Sequence, residues 1–229
     1  MVLKGVFFDF DGVVADTETL WMDCIFEYIS IHSINIIEEE LVPFVGCGDC
    51  VLKNRLIREL HSEEAYIEAY QWMRDRFEQR AKELKPREGI VQWLEQIRGA
   101  GLFTMIVSSS DTDTIQRRLG ELGLTRCFDG CVTAEDMRQI KPNPDLYLEA
   151  LKRTNCTPDE VICFEDSLFG LLAAEAAGIY CVLLPTKLSE KVLTLFPNLK
   201  INMRDMTFKE LVNKVGIELV EMKINESSI

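Results

Sequence analysis

Short apolar runs with almost no polar interruption constrain the fold of this chain more than any other feature. The runs are "GVFF" (Gly5–Phe8), "LFTMIV" (Leu102–Val107), "GCVT" (Gly130–Thr133), "VICF" (Val161–Phe164) and "YCVLL" (Tyr180–Leu184). Continuous rather than alternating hydrophobicity is typical of strands that are covered on both faces. Helical periodicity separates the runs, as at Ile90, Val91, Leu94 and Ile97. Strands that alternate with helices predict right-handed crossovers and an α/β fold with a doubly wound parallel sheet.

The interval from about Thr17 to Leu84 interrupts this alternation. It contains no strand-like run, and its apolar residues recur at helical spacing. Because these helices are inserted directly after the first strand, we expect them to pack as a small bundle of their own. We therefore predict a helical cap domain at residues 17–84 and an α/β core domain formed by residues 1–16 and 85–229.

Composition and charge limit the classes of partner. Of the 229 residues, 47% are hydrophobic, which suits a folded core and is too high for disorder. The formal net charge of −13 argues against binding to nucleic acid or to an anionic membrane surface. The start "MVLKGVFFDFD" is unlike a signal peptide, and no apolar stretch is long enough to span a bilayer. We expect a cytoplasmic monomer.

The eight cysteines are interpreted as reduced structural thiols. Several of them lie in apolar runs, where a thiol behaves as a small hydrophobic group. Cys47 and Cys50 form a C-x-x-C pair, which alone could be half of a zinc site or a redox pair. No second C-x-x-C and no histidine pair completes a zinc set, so the structural interpretation is favoured.

Polar side chains follow four of the predicted strands, at the edge where open parallel sheets bind ligands. They are Asp9 and Asp11 after the first strand, Ser108, Ser109 and Ser110 after the second, Lys141 downstream of the third, and Glu165 and Asp166 after the fourth. Crowded carboxylates repel one another, and one would be forced to take up a proton unless a cation lay between them. Mg²⁺ is the natural cation, since it prefers hard oxygen ligands from carboxylates and phosphate.

This combination of groups predicts phosphoryl transfer, in which positioning and charge neutralisation supply most of the catalysis. Lys141 can hold a carboxylate and a phosphate oxygen together, and a serine hydroxyl can donate to another phosphate oxygen. Asp9 is available as a nucleophile that forms an aspartyl-phosphate. Asp11 can protonate the leaving oxygen, or activate the water that breaks the acyl-phosphate.

Each of these signals has a structural alternative when it is taken singly. Asp and Gly in "DFDG" also end strands for turn reasons. Ser108 could cap a helix, as could the serine of "EDS", and Lys141 could be an ordinary loop charge. It is far less probable that all four signals occur by chance in this order, each at the end of a strand, than that any one of them does.

Four segments together resemble the motifs of the haloacid dehalogenase-like hydrolase superfamily. They are "DFDGVVADT", "VSSS", "KPNPDLY" and "FEDSLFGLLAAEAAG". The similarity is closest to the branch of β-phosphoglucomutase-like and sugar-phosphate phosphatases, whose helical cap is inserted after the first motif. This resemblance covers nearly the whole chain and implies a Rossmann-like core with Mg²⁺-dependent phosphoryl transfer.

The resemblance also assigns roles to individual residues. It implies Asp9 as nucleophile and Asp11 as general acid and base. It implies phosphate binding by the serine and lysine motifs, and the residues that we predict for this role are Ser108, Ser109 and Lys141. It further implies that Mg²⁺ is held by the side chain of Asp9, the backbone carbonyl of Asp11 and Asp166, with Glu165 in or near the coordination shell.

Comparison with other members of the superfamily reduces the set of reactions that we expect this chain to catalyse. Dehalogenases and phosphonatases lack an aspartate at the position of Asp11, so a phosphatase or a phosphomutase remains. β-Phosphoglucomutases carry an arginine near the position of Asp49 and a histidine near that of Trp21. An acid there would repel the second phosphate that a mutase must hold, although Lys53 or Arg55 could substitute.

We therefore predict a phosphatase that acts on a small phosphorylated metabolite, a phosphomonoester such as a sugar phosphate. The alternative is a β-phosphoglucomutase-like phosphosugar mutase. A phosphometabolite-binding protein without catalysis fits less well, because unneeded buried carboxylates would be costly.

Overall fold

The computed structural model describes residues 2–41, 50–194, 198–201, 203–215 and 218–219. Within these ranges the strands are β1 (Val2–Leu3), β2 (Gly5–Phe8), β3 (Phe103–Val107), β4 (Gly130–Val132), β5 (Val161–Glu165), β6 (Tyr180–Leu183) and β7 (Glu218–Leu219). The helices are α1 (Thr17–Ile31), α2 (Glu38–Leu41), α3 (Cys50–Leu60), α4 (Glu63–Ala81), α5 (Ile90–Gly99), α6 (Thr112–Glu121), α7 (Asp145–Thr154), α8 (Leu168–Ala176), α9 (Glu190–Leu193) and α10 (Phe208–Lys214). None of the described helices is both long and apolar enough to cross a bilayer.

In the described part of the chain, strands β2 to β6 form one parallel sheet in the order β4-β3-β2-β5-β6. β2 is central, and its last residue, Phe8, lies opposite Ile106 of β3 and Phe164 of β5. This register aligns the carboxyl ends of the three middle strands. The prediction of a doubly wound parallel sheet is confirmed.

The two faces of the sheet are covered by different helices. Phe8 belongs to a buried cluster that contains residues of α5, α6 and α10, such as Trp93 and Phe208. Its neighbour Phe7 points to the other face and belongs to a cluster with residues of α7 and α8, such as Tyr147. Burial on both faces explains why the strands are continuously apolar in sequence.

Helices α1 to α4, here called the helical layer, pack around a third cluster. Its core includes Ile25 of α1, Leu56 of α3 and Met73 of α4, and all three side chains are buried. Leu188, from the segment after β6, joins the same cluster. The helical layer has the position in the chain that was predicted for a cap domain.

An ion-pair group joins the helical layer to the helices of the sheet. Glu78 of α4 lies 2.7 Å from Arg117 and 2.8 Å from Arg118, both on α6. Arg118 also pairs with Glu121 of its own helix at 2.7 Å. The Arg118 side chain is only 3% exposed, so these two carboxylates compensate a buried positive charge.

The segments that lead to and from the helical layer lie side by side. Ala15 and Pro86 form an isolated antiparallel bridge. Next to it, the backbone N–H of Arg87 donates to the carbonyl of Val14 at 2.8 Å. The chain therefore leaves the sheet and returns to it at one place.

Candidate active site

The aligned strand ends bring four of the predicted residues to one edge of the sheet. Asp9 directly follows β2, and its backbone N–H donates to the carbonyl of Phe164 at 3.0 Å. Ser108 follows β3, while Glu165 and Asp166 stand at and just after the end of β5. Asp9 is 7% exposed and the other three are fully buried, so the edge is a dry, acidic site.

Lys141 lies between two of these carboxylates. Its ammonium group donates to Asp9 Oδ1 at 2.7 Å and to the Val107 carbonyl at 2.8 Å, and it lies 2.6 Å from Glu165 Oε1. Burial alone would lower the pKa of Lys141, but Asp9 and Glu165 outweigh it and raise that pKa above its usual value. Lys141 is therefore charged and links the ends of β2 and β5.

Tyr147 of α7 is a further member of this site that the sequence interpretation did not single out. Its hydroxyl donates to Glu165 Oε1, the oxygen that Lys141 also contacts. Burial, together with Cys163 and Glu165, raises the pKa of Tyr147 well above its usual value, so the hydroxyl keeps its proton. The sequence feature that could have identified it is a tyrosine on the apolar face of the helix that follows the lysine motif.

The Asp11 carboxylate is held apart from the acidic group. Its Oδ1 accepts from the Thr17 hydroxyl at 2.5 Å, and its Oδ2 accepts from the Ser110 hydroxyl at 2.7 Å. These two partners were also missed as site residues, although Ser110 belongs to the serine run. Because both oxygens are bonded, the orientation of Asp11 is fixed from two sides.

The remaining serines differ in their hydrogen bonding. The Ser108 hydroxyl oxygen accepts from the backbone N–H of Ser110 at 3.1 Å. The Ser109 hydroxyl is buried and has no hydrogen-bond partner among the described residues. Since buried polar groups are nearly always paired, Ser109 has an unused donor at the tip of β3.

Three carboxylates are arranged as a group that could hold a metal ion. Asp9, Glu165 and Asp166 each offer an oxygen within 4.8 Å of the others. Both Asp166 oxygens and Glu165 Oε2 are buried without a partner in the described structure. A hard divalent cation would satisfy these oxygens, so the donor set fits Mg²⁺.

The pKa values of Asp9 and Asp166 also indicate that this group of carboxylates lacks a compensating positive charge. Burial raises the pKa of Asp9 to about 8, with Lys141 opposing and with Glu165 and Asp11 adding to the rise. Burial and neighbouring carboxylates, Asp9 foremost, also raise the pKa of Asp166 well above its usual value. A cation between these groups would return both to the ionised form.

Two glycines allow the acidic side chains to approach the backbone. Gly12 has a φ of +78°, and a Cβ at this position would overlap the Asp166 carboxylate. A Cβ at Gly170 would overlap the Glu165 carboxylate in the same way. A side chain at either position would displace a member of the acidic group.

Arg87, from the segment that returns to the sheet, fastens the loops beside Asp166. Its guanidinium donates to the carbonyls of Gly12, Leu184 and Pro185, the last two at 2.7 and 2.5 Å. The sequence interpretation treated "KPREG" only as a linker. The sequence feature that could have indicated this role is the single arginine of that segment, which stands between a proline and a glycine.

A cleft of about 230 Å³ lies between the helical layer and the acidic edge. Asp11 and Ser110 line its side nearest the sheet, while Trp21, Tyr70 and Phe77 line it from α1 and α4. Trp21 is half-buried and forms part of the wall of this cleft. Among the residues of the predicted cap that were discussed from sequence, Cys47 and Asp49 lie outside the described residues, and Cys50 begins α3.

Comparison with known proteins decides the family. The family described as haloacid dehalogenase-like hydrolase matches residues 6–184. The chain belongs to this family. It is 32% identical over 199 residues to "Putative phosphatase YhcW" of Bacillus subtilis strain 168, covering 82% of this chain and 86% of that protein. The predicted membership of the hydrolase family is confirmed.

Further relatives agree with this membership. The chain is 27% identical to "Phosphorylated carbohydrates phosphatase" of Thermotoga maritima, covering 77% of this chain and 82% of that protein. The crystal structure of β-phosphoglucomutase from Clostridium difficile superposes with a TM-score of 0.73 at 21% identity, covering 93% of this chain and 97% of that one. At this identity the structural likeness supports the fold alone.

Proposed function

We propose that this hydrolase is a Mg²⁺-dependent phosphatase that cleaves a small phosphomonoester, such as a sugar phosphate, through an aspartyl-phosphate on Asp9. The observation that carries the proposal is the arrangement around Asp9. A buried ammonium group, that of Lys141, lies 2.7 Å from Asp9, and two acids with unpartnered oxygens lie beside it. This is the environment that a phosphoryl group and a divalent cation require.

The proposed reaction has two displacements at phosphorus. In the first, the Asp9 carboxylate attacks phosphorus, the ester P–O bond breaks, and Asp11 gives its proton to the leaving oxygen. In the second, Asp11 takes a proton from water, and the water oxygen attacks the aspartyl-phosphate. Inorganic phosphate leaves and Asp9 is regenerated as a carboxylate.

The surroundings of Asp11 suit a group that both gives and takes a proton. Its partners, Thr17 and Ser110, are hydroxyls, which can donate to an ionised carboxylate and accept from a protonated one. Asp11 therefore keeps hydrogen bonds in both states. An ammonium or guanidinium partner would have favoured only the ionised form.

The remaining predicted residues bind the charged groups. Asp9, Glu165 and Asp166 would hold Mg²⁺, together with the backbone carbonyl of Asp11 that the family resemblance implies. The bound ion would neutralise negative charge on the phosphate oxygens. Ser108, Ser109 and Lys141 would donate to these oxygens, and the unused Ser109 donor supports this role.

We propose further that the helical layer is the cap domain, residues 17–84, and that residues 1–16 and 85–229 form the core domain. The separate hydrophobic cluster of the helical layer supports this division. The cleft between the two would admit the substrate. The monomeric state and the cytoplasmic location stay predictions.

Two cations could have bound the second phosphate that a mutase requires. Their pairing with carboxylates favours hydrolysis over mutase chemistry. Arg55 pairs with Glu40 at 2.8 Å and also with Glu59. Lys53 pairs with Glu63 at 3.0 Å. Both cations therefore already have carboxylate partners within the helical layer, which lowers their capacity to attract a phosphate.

Phosphate release tests the proposal. The protein should release phosphate from an aryl phosphate with Mg²⁺ and lose this activity with a chelator or in Asp9→Asn. Asp159→Asn, at an exposed acid, is the matched control and should be fully active. No release across a broad panel of phosphomonoesters would contradict the proposal. Conversion of β-glucose 1-phosphate to glucose 6-phosphate in the presence of a trace of bisphosphate would favour the mutase instead.

A further inference from the structure

We infer that Tyr147 is a positioning residue whose hydroxyl takes over from Lys141 as the donor to Glu165 when phosphate binds, which frees one N–H group of the lysine for the phosphate. The inference rests on the proposed phosphatase function and adds a residue to which that function assigns no role. It follows from the number of donors and acceptors around the ammonium group, from their burial and from the position of the tyrosine ring.

The three donors of Lys141 are all in use in the structure. A lysine side chain has three N–H donors and no acceptor. The acceptors here are Asp9 Oδ1 at 2.7 Å, the Val107 carbonyl at 2.8 Å and Glu165 Oε1 at 2.6 Å. Binding of a phosphate oxygen to Lys141 therefore requires that one of these three contacts is given up.

The contact with Glu165 is the one whose loss costs least, because that oxygen has a second donor. Glu165 Oε1 accepts from the Tyr147 hydroxyl as well as from Lys141. Asp9, in contrast, accepts only from Lys141 among the described residues, and as the proposed nucleophile it must stay beside the phosphate. When Lys141 turns from Glu165 to a phosphate oxygen, Oε1 keeps a hydrogen bond.

Burial makes this second donor necessary. Tyr147 and Glu165 are fully buried, and Lys141 is 5% exposed. The other oxygen of the carboxylate, Oε2, has no partner in the described structure, so all hydrogen bonds of Glu165 are made by Oε1. A buried, charged oxygen that lost its donors would be costly. Without the Tyr147 hydroxyl, this cost would hold Lys141 on Glu165 and oppose phosphate binding.

The position of the tyrosine ring allows the hydroxyl to be tested alone. The Lys141 ammonium lies 5.4 Å from the centre of the Tyr147 ring, within the range of a cation–π contact. The ring also packs beside Phe7, at 6.4 Å between ring centres. Phenylalanine keeps both contacts. Tyr147→Phe therefore removes the hydroxyl and leaves the support of Lys141 in place.

Phosphate binding to Tyr147→Phe tests the inference. Calorimetric titration of inorganic phosphate into the Mg²⁺-loaded protein should show binding that is about tenfold weaker or more, because Lys141 stays paired with Glu165. The Mg²⁺ affinity without phosphate should change less than about threefold, since Lys141 remains the partner of Glu165 in that state. A general disturbance of the site would weaken both.

A double-mutant cycle with Glu165→Gln separates positioning from a structural effect. With an uncharged amide at position 165, Lys141 is no longer retained by a carboxylate, so the hydroxyl has little to replace. At saturating Mg²⁺, Tyr147→Phe should weaken phosphate binding less than about threefold in this background, against about tenfold in the unaltered one. An equal loss in both backgrounds overturns the inference, as does an unchanged phosphate affinity in Tyr147→Phe alone.

Tyr28→Phe is the matched control. Tyr28 of α1 is also buried, at 7% exposed, but it packs on Trp72 within the helical layer, at 5.3 Å between ring centres. Its phosphate and Mg²⁺ affinities should be those of the unaltered protein. If the unaltered protein neither binds inorganic phosphate nor releases it from any ester, the proposed function fails and the inference fails with it, which separates the two failures.

A crystal structure of the unaltered protein with Mg²⁺ and inorganic phosphate tests the exchange without any variant. The Lys141 ammonium should contact Asp9 and a phosphate oxygen and lie beyond hydrogen-bond distance of Glu165 Oε1, while the Tyr147 hydroxyl still donates to that oxygen. An ammonium group that stays on Glu165, or a Tyr147 hydroxyl that leaves it, overturns the inference.

Discussion

Lys141 is in contact with two buried carboxylates and a backbone carbonyl, so its replacement should affect both activity and stability. In Lys141→Met the side chain keeps about the same length but has no charge. We expect kcat/KM to fall at least a hundredfold, because the phosphate loses an oriented cation. The free energy of unfolding should fall by about 3 kcal/mol, since Asp9 and Glu165 lose their shared partner.

Phosphate release and urea unfolding measure these two effects. Lys152→Met, at a lysine that is 79% exposed, is the control and should change neither quantity. Retention of activity within tenfold in Lys141→Met would exclude the proposed role of Lys141.

Tyr147 offers a test of the buried network that does not remove a charge. Tyr147→Phe leaves Glu165 Oε1 without one of its donors, and the free energy of unfolding should fall by about 1–3 kcal/mol. Tyr180→Phe removes a hydroxyl from a half-exposed tyrosine and should have no measurable effect. Equal unfolding midpoints of the two variants in urea would show that the hydroxyl of Tyr147 adds no stability.

The raised pKa of Asp9 predicts how pH affects metal binding. Without metal, folded Asp9 binds a proton up to about pH 8, whereas the unfolded group loses it near 3.8. The metal-free protein should therefore lose stability as pH rises between these values, because the folded state binds more protons. A divalent ion must displace the proton, so Mg²⁺ affinity should rise by up to tenfold per pH unit from about pH 6 to 8.

Calorimetry in two buffers of different ionisation enthalpy measures the proton release directly. A Mg²⁺ affinity that is constant over this pH range, with no proton released, would contradict the prediction.

At the scale of elements, the contact between α4 and α6 depends on Glu78. Glu78→Gln leaves the buried Arg118 with Glu121 as its remaining carboxylate partner among the described residues. Because the Glu78 side chain is 37% exposed, solvent screening reduces the expected loss of unfolding free energy to about 1–2 kcal/mol. Urea unfolding measures this loss.

Glu149→Gln is the control for this contact. Glu149 pairs with Lys152 and Arg153 within α7, so it joins no two elements, and its replacement should have no measurable effect. If both variants unfold at the same urea concentration, the contact between α4 and α6 does not depend on the charge of Glu78.

The strands of the main sheet were predicted well from the sequence. The features that were missed are strand ends and short strands that form only because a neighbouring strand pairs with them. Each of the five apolar runs forms a strand, with ends shifted by one residue in four of them. β5, for example, extends to Glu165 because that residue pairs with Leu183 of β6. β1 and β7 were not predicted, since a strand of two residues has no hydrophobic pattern and exists only through its partner.

Capping signals were reliable because they are local. Ser167 accepts from the backbone N–H of Gly170 at 3.1 Å, as its position before α8 predicts. Asn143, of a residue type that often caps helices, stands just before α7, and its side chain accepts from the N–H of Asp145 at 3.1 Å. The N-cap position itself is taken by the next residue, Pro144.

At the scale of the whole molecule, the net charge of −13 predicts the effect of salt on substrate capture. The overall field would repel a phosphomonoester dianion, and under the proposed function local cations such as Lys141 would attract it. Raising the ionic strength from about 0.01 to 0.1 M shortens the Debye length from about 30 to 10 Å. At saturating Mg²⁺, kcat/KM should therefore rise about twofold, and a fall with added potassium chloride would contradict this.

The candidate site was largely predictable because its residues follow strands, whereas the order of the strands was not. The four motifs meet since β2 lies between β3 and β5, and nothing local in the sequence specifies that order. The partners Tyr147 and Arg87 were missed for a related reason. Their bonds join positions 18 and 97 residues apart in the chain, to Glu165 and Leu184 respectively.

The bridge between Ala15 and Pro86 limits how the helical layer can move. Two attachments that lie side by side form one narrow connection, which would act as a single pivot if α1 to α4 moved relative to the strand tips. Arg87 immobilises the inner end of that pivot through three carbonyl groups. Opening for product exit would then leave the acidic cluster undisturbed, and each new substrate would meet a centre that needs no reassembly.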